Sequence, residues 1–115
     1  MPEPDLIVAR GELADYLTRH PGPDETLLVV EISSSSLLTD RYKAEIYGEA
    51  GIPWYWIVNL TERRIEVYSH PTATAAGARY GQPRIYTRGE TIPVIVAGQA
   101  VGNIAADRLL PAIAG

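Results

Sequence analysis

Two charged residues stand where apolar ones are expected. Glu31 interrupts the run Leu27-Leu28-Val29-Val30-Glu31-Ile32, and Lys43 falls in the helix-like segment that follows. A lone ionised carboxylate inside a buried strand costs on the order of several kcal/mol. It must be paired, bind a metal, or lie at the rim of the sheet, and Ser33 at the end of the run points to the rim. A helix turns about 100° per residue, which places Tyr42, Lys43, Ile46, Tyr47 and Ala50 within an arc of roughly 140°. Arg41, Glu45 and Gly48 fall opposite, and Asp40 sits at the arc's edge. An amphipathic helix rarely aims a lysine at its sheet, so Lys43 is expected to reach back toward Glu31.

Asp5 opens a second apolar run behind Pro4. If the two strands are neighbours, Asp5 and Glu31 converge. With the main-chain carbonyl of Ile32 they make a hard oxygen set that suits Mg²⁺ (or Mn²⁺), with waters completing the octahedron. A lysine beside such a site orients or deprotonates an attacking water, or stabilises charge developing on a phosphate. The same residues equally fit a buried Glu31–Lys43 ion pair without metal, which adds little net stability. Geometry alone leaves both open.

The elements that must position these residues can be read from local pattern. Thr26 to Ser33 is β-branched and does not alternate, as in a central strand covered on both faces. Ser33 to Ser36 break it and offer N-caps. A helix spans about Leu37 to Ala50, stopped by Gly51 and Pro53. Pro53 to Asn59 and Arg64 to Tyr68 form an antiparallel hairpin around Thr61 to Arg63. Ile65 and Val67 share one side of its second strand, and Arg64, Glu66 and Tyr68 share the other. Trp54, Tyr55 and Trp56 point alternately to opposite faces, so they read as core and not as a stacking platform. Gly11 to Arg19 reads as a helical turn or lid, and His20 to Asp24 as a turn. Pro71 to Ala78 reads as loop, Arg84 to Thr87 and Thr91 to Val96 as weaker strands, and Ile104 to Leu110 as a terminal helix. His20 and His70 flank prolines without metal-ligand spacing and read as solvated.

The chain has 115 residues, which suits one α/β domain with a mixed central sheet. It lacks Cys, so disulfides and thiolate metal sites are excluded; an intracellular, cytoplasmic location is the matching expectation. No apolar run approaches a membrane span of about 18–20 residues, and Met1 to Asp5 do not resemble a signal peptide. The net charge of −4 without a dense basic run argues against tight, sequence-independent nucleic-acid binding. It leaves room for a nuclease whose metal-binding carboxylates contribute to that balance.

Taken in order, Pro4-Asp5, Glu31-Ile32-Ser33-Ser34-Ser35-Ser36, Asp40, Lys43, Tyr47 and Gly51-Ile52-Pro53-Trp54-Tyr55-Trp56 resemble the Uma family of restriction endonucleases. That family belongs to the PD-(D/E)XK nuclease superfamily. The resemblance runs from Pro4 to about Tyr68, more loosely beyond. It implies a restriction-endonuclease-like fold with flanking helices and Mg²⁺-dependent hydrolysis of DNA. Asp5 matches the metal-binding aspartate and Glu31 the acidic residue of the (D/E)XK motif. Ser33 occupies the motif's lysine position, and Lys43 is the lysine that has migrated to the helix. Ser33 and Tyr47 are accessory.

Three departures stand out. The family's Ser-Pro-Ser-Thr is Ser33 to Ser36 here. Two residues separate Asp40 from Lys43 where three are common, which shifts the facing by about 100°. Met1 stands close before Asp5, so a shortened member is expected, with a single domain lacking the usual N-terminal segment. An uncovered sheet edge then suggests a dimer. The alternative to an active nuclease is a catalytically degenerate module acting in self-association.

Overall fold

The computed structural model describes residues 6–9, 26–34 and 37–110. Its centre is a five-stranded mixed sheet in the order β1-β2-β3-β4-β7. β1 is Leu6–Ala9, β2 Thr26–Ser33, β3 Trp54–Asn59, β4 Arg64–Ser69 and β7 Arg84–Tyr86. β2 and β3 run parallel, and the other pairs are antiparallel. Parallel neighbours need a crossover, here the helix α1, Leu37–Glu49. The expected β2 and its central place are as observed, with β1 on one side and β3 on the other.

α1 stops where the pattern places the stop. Gly51 takes φ +78°, a left-handed conformation glycine adopts without penalty. The Ile52 amide reaches the Tyr47 carbonyl at 3.1 Å and the Gly51 amide that of Gly48 at 3.0 Å, which satisfies carbonyls that α1 leaves open.

The sheet buries both faces. On one, Leu28, Val30, Trp56, Val58, Ile65, Val67 and Tyr86 pack with Ile92, Ala106 and Leu110. The last three belong to or adjoin the hairpin β8 Thr91–Val96 and β9 Gln99–Ala105 and the one-turn helix α2 Ala106–Leu109. On the other, Val29, Tyr55 and Ile57 pack with Ala44, Tyr47 and Ile52. Tyr55 and Trp56 point to opposite faces, as the alternation requires. Among the described residues, α1 covers one face of the sheet, and mainly a hairpin covers the other.

Four expectations need correction. Pro71 to Ala78 is not a loop but holds the hairpin β5 Thr72–Thr74 and β6 Gly77–Arg79. Its residues are small and half exposed, so no apolar alternation marks it. The terminal helix is shorter, because Gln99–Ala105 is a strand whose polar and small residues hide its pairing with β8. The buried arc of α1 is rotated: Asp40, Ala44, Tyr47 and Gly48 face inward, while Tyr42 is 63% exposed. The reason is a second surface against the helix. Gly48 packs on Tyr80, where an added Cβ would meet the ring at 3.3 Å, and Arg41 turns to β4. Ile32, grouped by alternation with Leu28 and Val30, is 54% exposed, because it lies near the strand's end. The expectations for Asp5, for Gly11 to Arg19 and for His20 to Asp24 lie outside the described residues.

Candidate functional site

The face of the sheet beneath α1 divides in two. Toward Tyr47, Tyr55, Tyr68 and Tyr80 it is aromatic, with ring centroids 4.9–6.4 Å apart. Toward the carboxyl ends of β2 and β3 it is polar. The register sets Glu31 beside Ile57 and Ile57 beside Glu66. The next rung is Ser33, Asn59 and Arg64. In open α/β sheets the crevice outside the carboxyl ends of parallel strands is where ligands bind.

Glu31 is 2% exposed. The Lys43 ammonium donates to its Oε2 at 2.5 Å and lies 3.3 Å from Asp40 Oδ1. Lys43 therefore points inward to Glu31 as expected. Asp40, placed at the arc's edge by spacing, is buried at its centre and shares the lysine. The Tyr55 hydroxyl donates to the main-chain carbonyl of Asp40 at 2.7 Å, which ties the first turn of α1 to β3. The hydrogen bond to Glu31 chiefly raises the pKa of Lys43, ahead of the opposing effect of burial. The group is thus an ammonium at neutral pH. In this arrangement it donates hydrogen bonds and offers charge, and it does not remove protons.

A second charged cluster sits across β3. Glu66 is 1% exposed. Arg41 grips it with two bonds, Nε to Oε1 at 3.1 Å and Nη2 to Oε2 at 2.5 Å. Asn59 Nδ2 donates to Oε2 at 3.2 Å and the Tyr68 hydroxyl to Oε1 at 3.0 Å. Burial pushes the Glu66 carboxyl up, but these donors outweigh it and hold the group below the ordinary carboxylate range. Burial and Glu66 in turn push the Tyr68 phenol up to about 12. This cluster escaped the sequence reading. Arg64, Glu66 and Tyr68 share one side of β4 as the alternation requires, but alternation does not say what covers that side. The signal available was Arg41, whose position opposite the assumed arc left it without an assigned partner.

The oxygens gathered beneath the start of α1 are hard donors of the kind Mg²⁺ takes. They are the carboxylates of Glu31 and Asp40, the Ser33 hydroxyl and the carbonyls at the end of β2. Ser33 is fully buried, and its Oγ has no hydrogen-bond partner among the described residues. The Leu60 amide bonds the Ser33 carbonyl at 2.9 Å, on the β3 side. Successive carbonyls alternate along a strand, so that of Ile32 is directed to the β1 side. Among the described residues, no three His, Cys, Asp or Glu side chains gather as a metal set. The donor chemistry fits a hard dication, and Asp5, the further ligand expected, lies outside the described residues. Tyr47 is fully buried and packs on Tyr55, which is a core position. His70 is exposed and lies edge-on to Trp54, in keeping with the solvated reading.

Residues 1–102 match the sequence model of the family described as "Uma2: Putative restriction endonuclease". The chain belongs to the Uma2 family. Membership agrees with the mixed α/β architecture, a multi-stranded sheet with few helices, as in restriction-endonuclease-like folds. DNA is the substrate class that the Uma2 description suggests. No curated protein matches the chain. No helix among the described residues is long and apolar enough to cross a membrane.

Proposed function

We propose that this Uma2 chain is a metal-dependent DNA endonuclease of the PD-(D/E)XK type. The observation that carries the reading is the Lys43 ammonium on the buried Glu31 carboxylate at the carboxyl ends of β2 and β3. An ion pair serving stability alone has little reason to lie there, since buried pairs add little net stability. Asp5, Glu31 and the Ile32 carbonyl would hold Mg²⁺ (or Mn²⁺). Leu6 pairs with Val30, so β1 runs beside the Glu31 end of β2, on the edge toward which the Ile32 carbonyl is directed. When bound, the ion supplies Lewis acidity toward a phosphoryl oxygen and a water of lowered pKa.

The protein's own part is positioning. Hydrolysis joins a water oxygen to phosphorus and releases the sugar oxygen. Glu31 and Asp40 fix Lys43, whose ammonium orients the water or meets the charge gathering on the phosphate. Tyr55 holds the backbone that carries Asp40. A cytoplasmic location goes with such an enzyme. The test is nicking of supercoiled plasmid: cleavage with Mg²⁺ or Mn²⁺ that stops with EDTA is expected. Purified chain that leaves DNA intact at high metal concentration would favour the non-catalytic alternative.

Self-association belongs to the same proposal. Among the described residues β1 is an edge strand of the sheet, and near it Leu6 and Ile32 are 55% and 54% exposed. Unpaired edges invite pairing with another chain, and a two-fold dimer is the commonest result. Two such sites would serve cleavage of both DNA strands. Light scattering at micromolar concentration is expected to give twice the 12.5 kDa chain mass. A constant monomer mass across dilution would refute it.

A further inference from the structure

Arg64 is a guanidinium with its donors unspent. It is about one-third exposed, and it lies near two carboxylates that it does not hydrogen-bond. Its Nη2 lies 3.4 Å from Glu62 Oε2 and 3.5 Å from Glu66 Oε2, and its buried Nε has no partner. Arg41, about equally exposed, shares both carboxylates: it grips Glu66 and lies 3.6 Å from Glu62. The two carboxylates differ. Glu66 is buried and hydrogen-bonded on both oxygens, so it is a fixed base for the arginine pair. Glu62 is exposed, sits on the β3–β4 turn, and spans the two guanidiniums at distances too long for hydrogen bonds. Its backbone amide, bonded to Asn59 Oδ1 at 2.9 Å, anchors the turn without any help from its side chain.

We propose that Arg41 and Arg64 form a phosphate-binding clamp, with the Glu62 carboxylate standing in for the phosphate. Planar guanidiniums suit the oxygens of a phosphate and bind them in pairs. Glu66 fixes Arg41 in advance, so less entropy is lost on binding. The clamp's charge favours it only when Glu62 moves aside. Then two arginines face one carboxylate, whereas with Glu62 in place the charges balance. On the other side of β3, Lys43 faces Glu31 and Asp40, so cation binding there would add to the attraction. Resting on the nuclease reading, the inference assigns the ligand as a DNA backbone phosphate flanking the reacting one. Glu31 and Glu66 lie two strand spacings apart, roughly 10 Å. A DNA strand, with phosphates about every 3.4 Å along its axis, reaches both.

The clamp makes two substitutions act in opposite directions. Fluorescence anisotropy of a labelled duplex is measured without divalent ions, from about 50 to 200 mM salt. Glu62→Gln is expected to bind several-fold more tightly than the parent chain. Arg64→Met is expected to bind more weakly, with the slope of log K against log salt reduced by about one. Arg108→Met on α2 controls for net charge and should change neither. Thermal melts establish that each variant folds. Inorganic phosphate, followed by NMR shifts at Asn59 and Arg64, separates the ligand from the reading. If the duplex binds and the variants match the parent, the clamp is overturned and the nuclease reading stands. If the duplex does not bind but phosphate does, with the same opposite-sign pattern, the clamp stands for a free phosphate and the DNA reading falls. If neither binds, both fall. A parallel loss in both variants would mark a merely structural role and overturn the clamp.

Discussion

Lys43→Met is expected to lower metal-dependent DNA cleavage by about 10²–10³-fold, the scale for losing one positioned charge in an active site. The same variant should lose stability, and that loss is informative in its own right. Met keeps most of the aliphatic length, so packing beneath α1 is retained. Glu31 and Asp40, 2% and 3% exposed, lose the cation they share. Removing one partner of a buried pair costs about 3–5 kcal/mol. The Lys43 side chain is 21% exposed, and screening brings the expected cost to about 2–3 kcal/mol. The melting temperature would fall by roughly 8–12 °C in EDTA. Mg²⁺ should then restore much of it, because a dication can take over the balancing of those carboxylates. The parent chain should gain less from Mg²⁺, since its carboxylates already have a cation. Melting curves of both chains with EDTA and with Mg²⁺ check this without reference to activity. A Lys43→Met chain as stable as its parent and indifferent to Mg²⁺ would contradict the site.

The second large effect is expected at Glu66. Glu66→Gln leaves Arg41 beside an amide, with one of its two bonds lost and no charge beneath it. Arg41 is about one-third exposed, so the full cost of a broken buried pair is discounted to about 2–3 kcal/mol. The pH dependence has a definite sign. The folded chain holds the Glu66 carboxyl below the ordinary range. Its contribution is therefore complete above the unfolded-state value of about 4.3 and lost as pH falls through the depressed folded value. The parent chain should lose stability to acid below about pH 4.3 more steeply than Glu66→Gln does. Urea midpoints from pH 7 to pH 3 measure both quantities. Parallel acid profiles would show that Glu66 carries no such charge.

The site half on β2 was legible because it breaks a rule. A carboxylate in an apolar strand and a lysine on a helix both demand a partner, and Glu31 with Lys43 satisfied each other. Asp40 was undervalued because its spacing fixes only an angle relative to Lys43. Which angle faces the sheet depends on what else touches the helix. Tyr80 against Gly48 and Glu66 against Arg41 rotate the buried arc toward Asp40, and neither contact is local in sequence. Glu66 itself hides in a clean alternation, since a strand with one polar side looks the same whether solvent or a charged helix covers that side. Strands β2 to β4 were legible from β-branched runs and the Gly51 stop. β5, β6 and β9 were not, because their small and polar residues show no apolar alternation.

Mn²⁺ soaked into crystals of the chain, located by its anomalous signal, tests the central claim most directly. One strong peak is expected at the carboxyl end of β2, about 2.1 Å from a Glu31 carboxylate oxygen, with the Ile32 carbonyl and Asp5 as further ligands. Lys43 should remain beside it, its ammonium turned from Glu31 toward the water shell. A well-ordered Glu31–Lys43 pair with no peak there at saturating Mn²⁺, or a peak only at another place, would contradict the account.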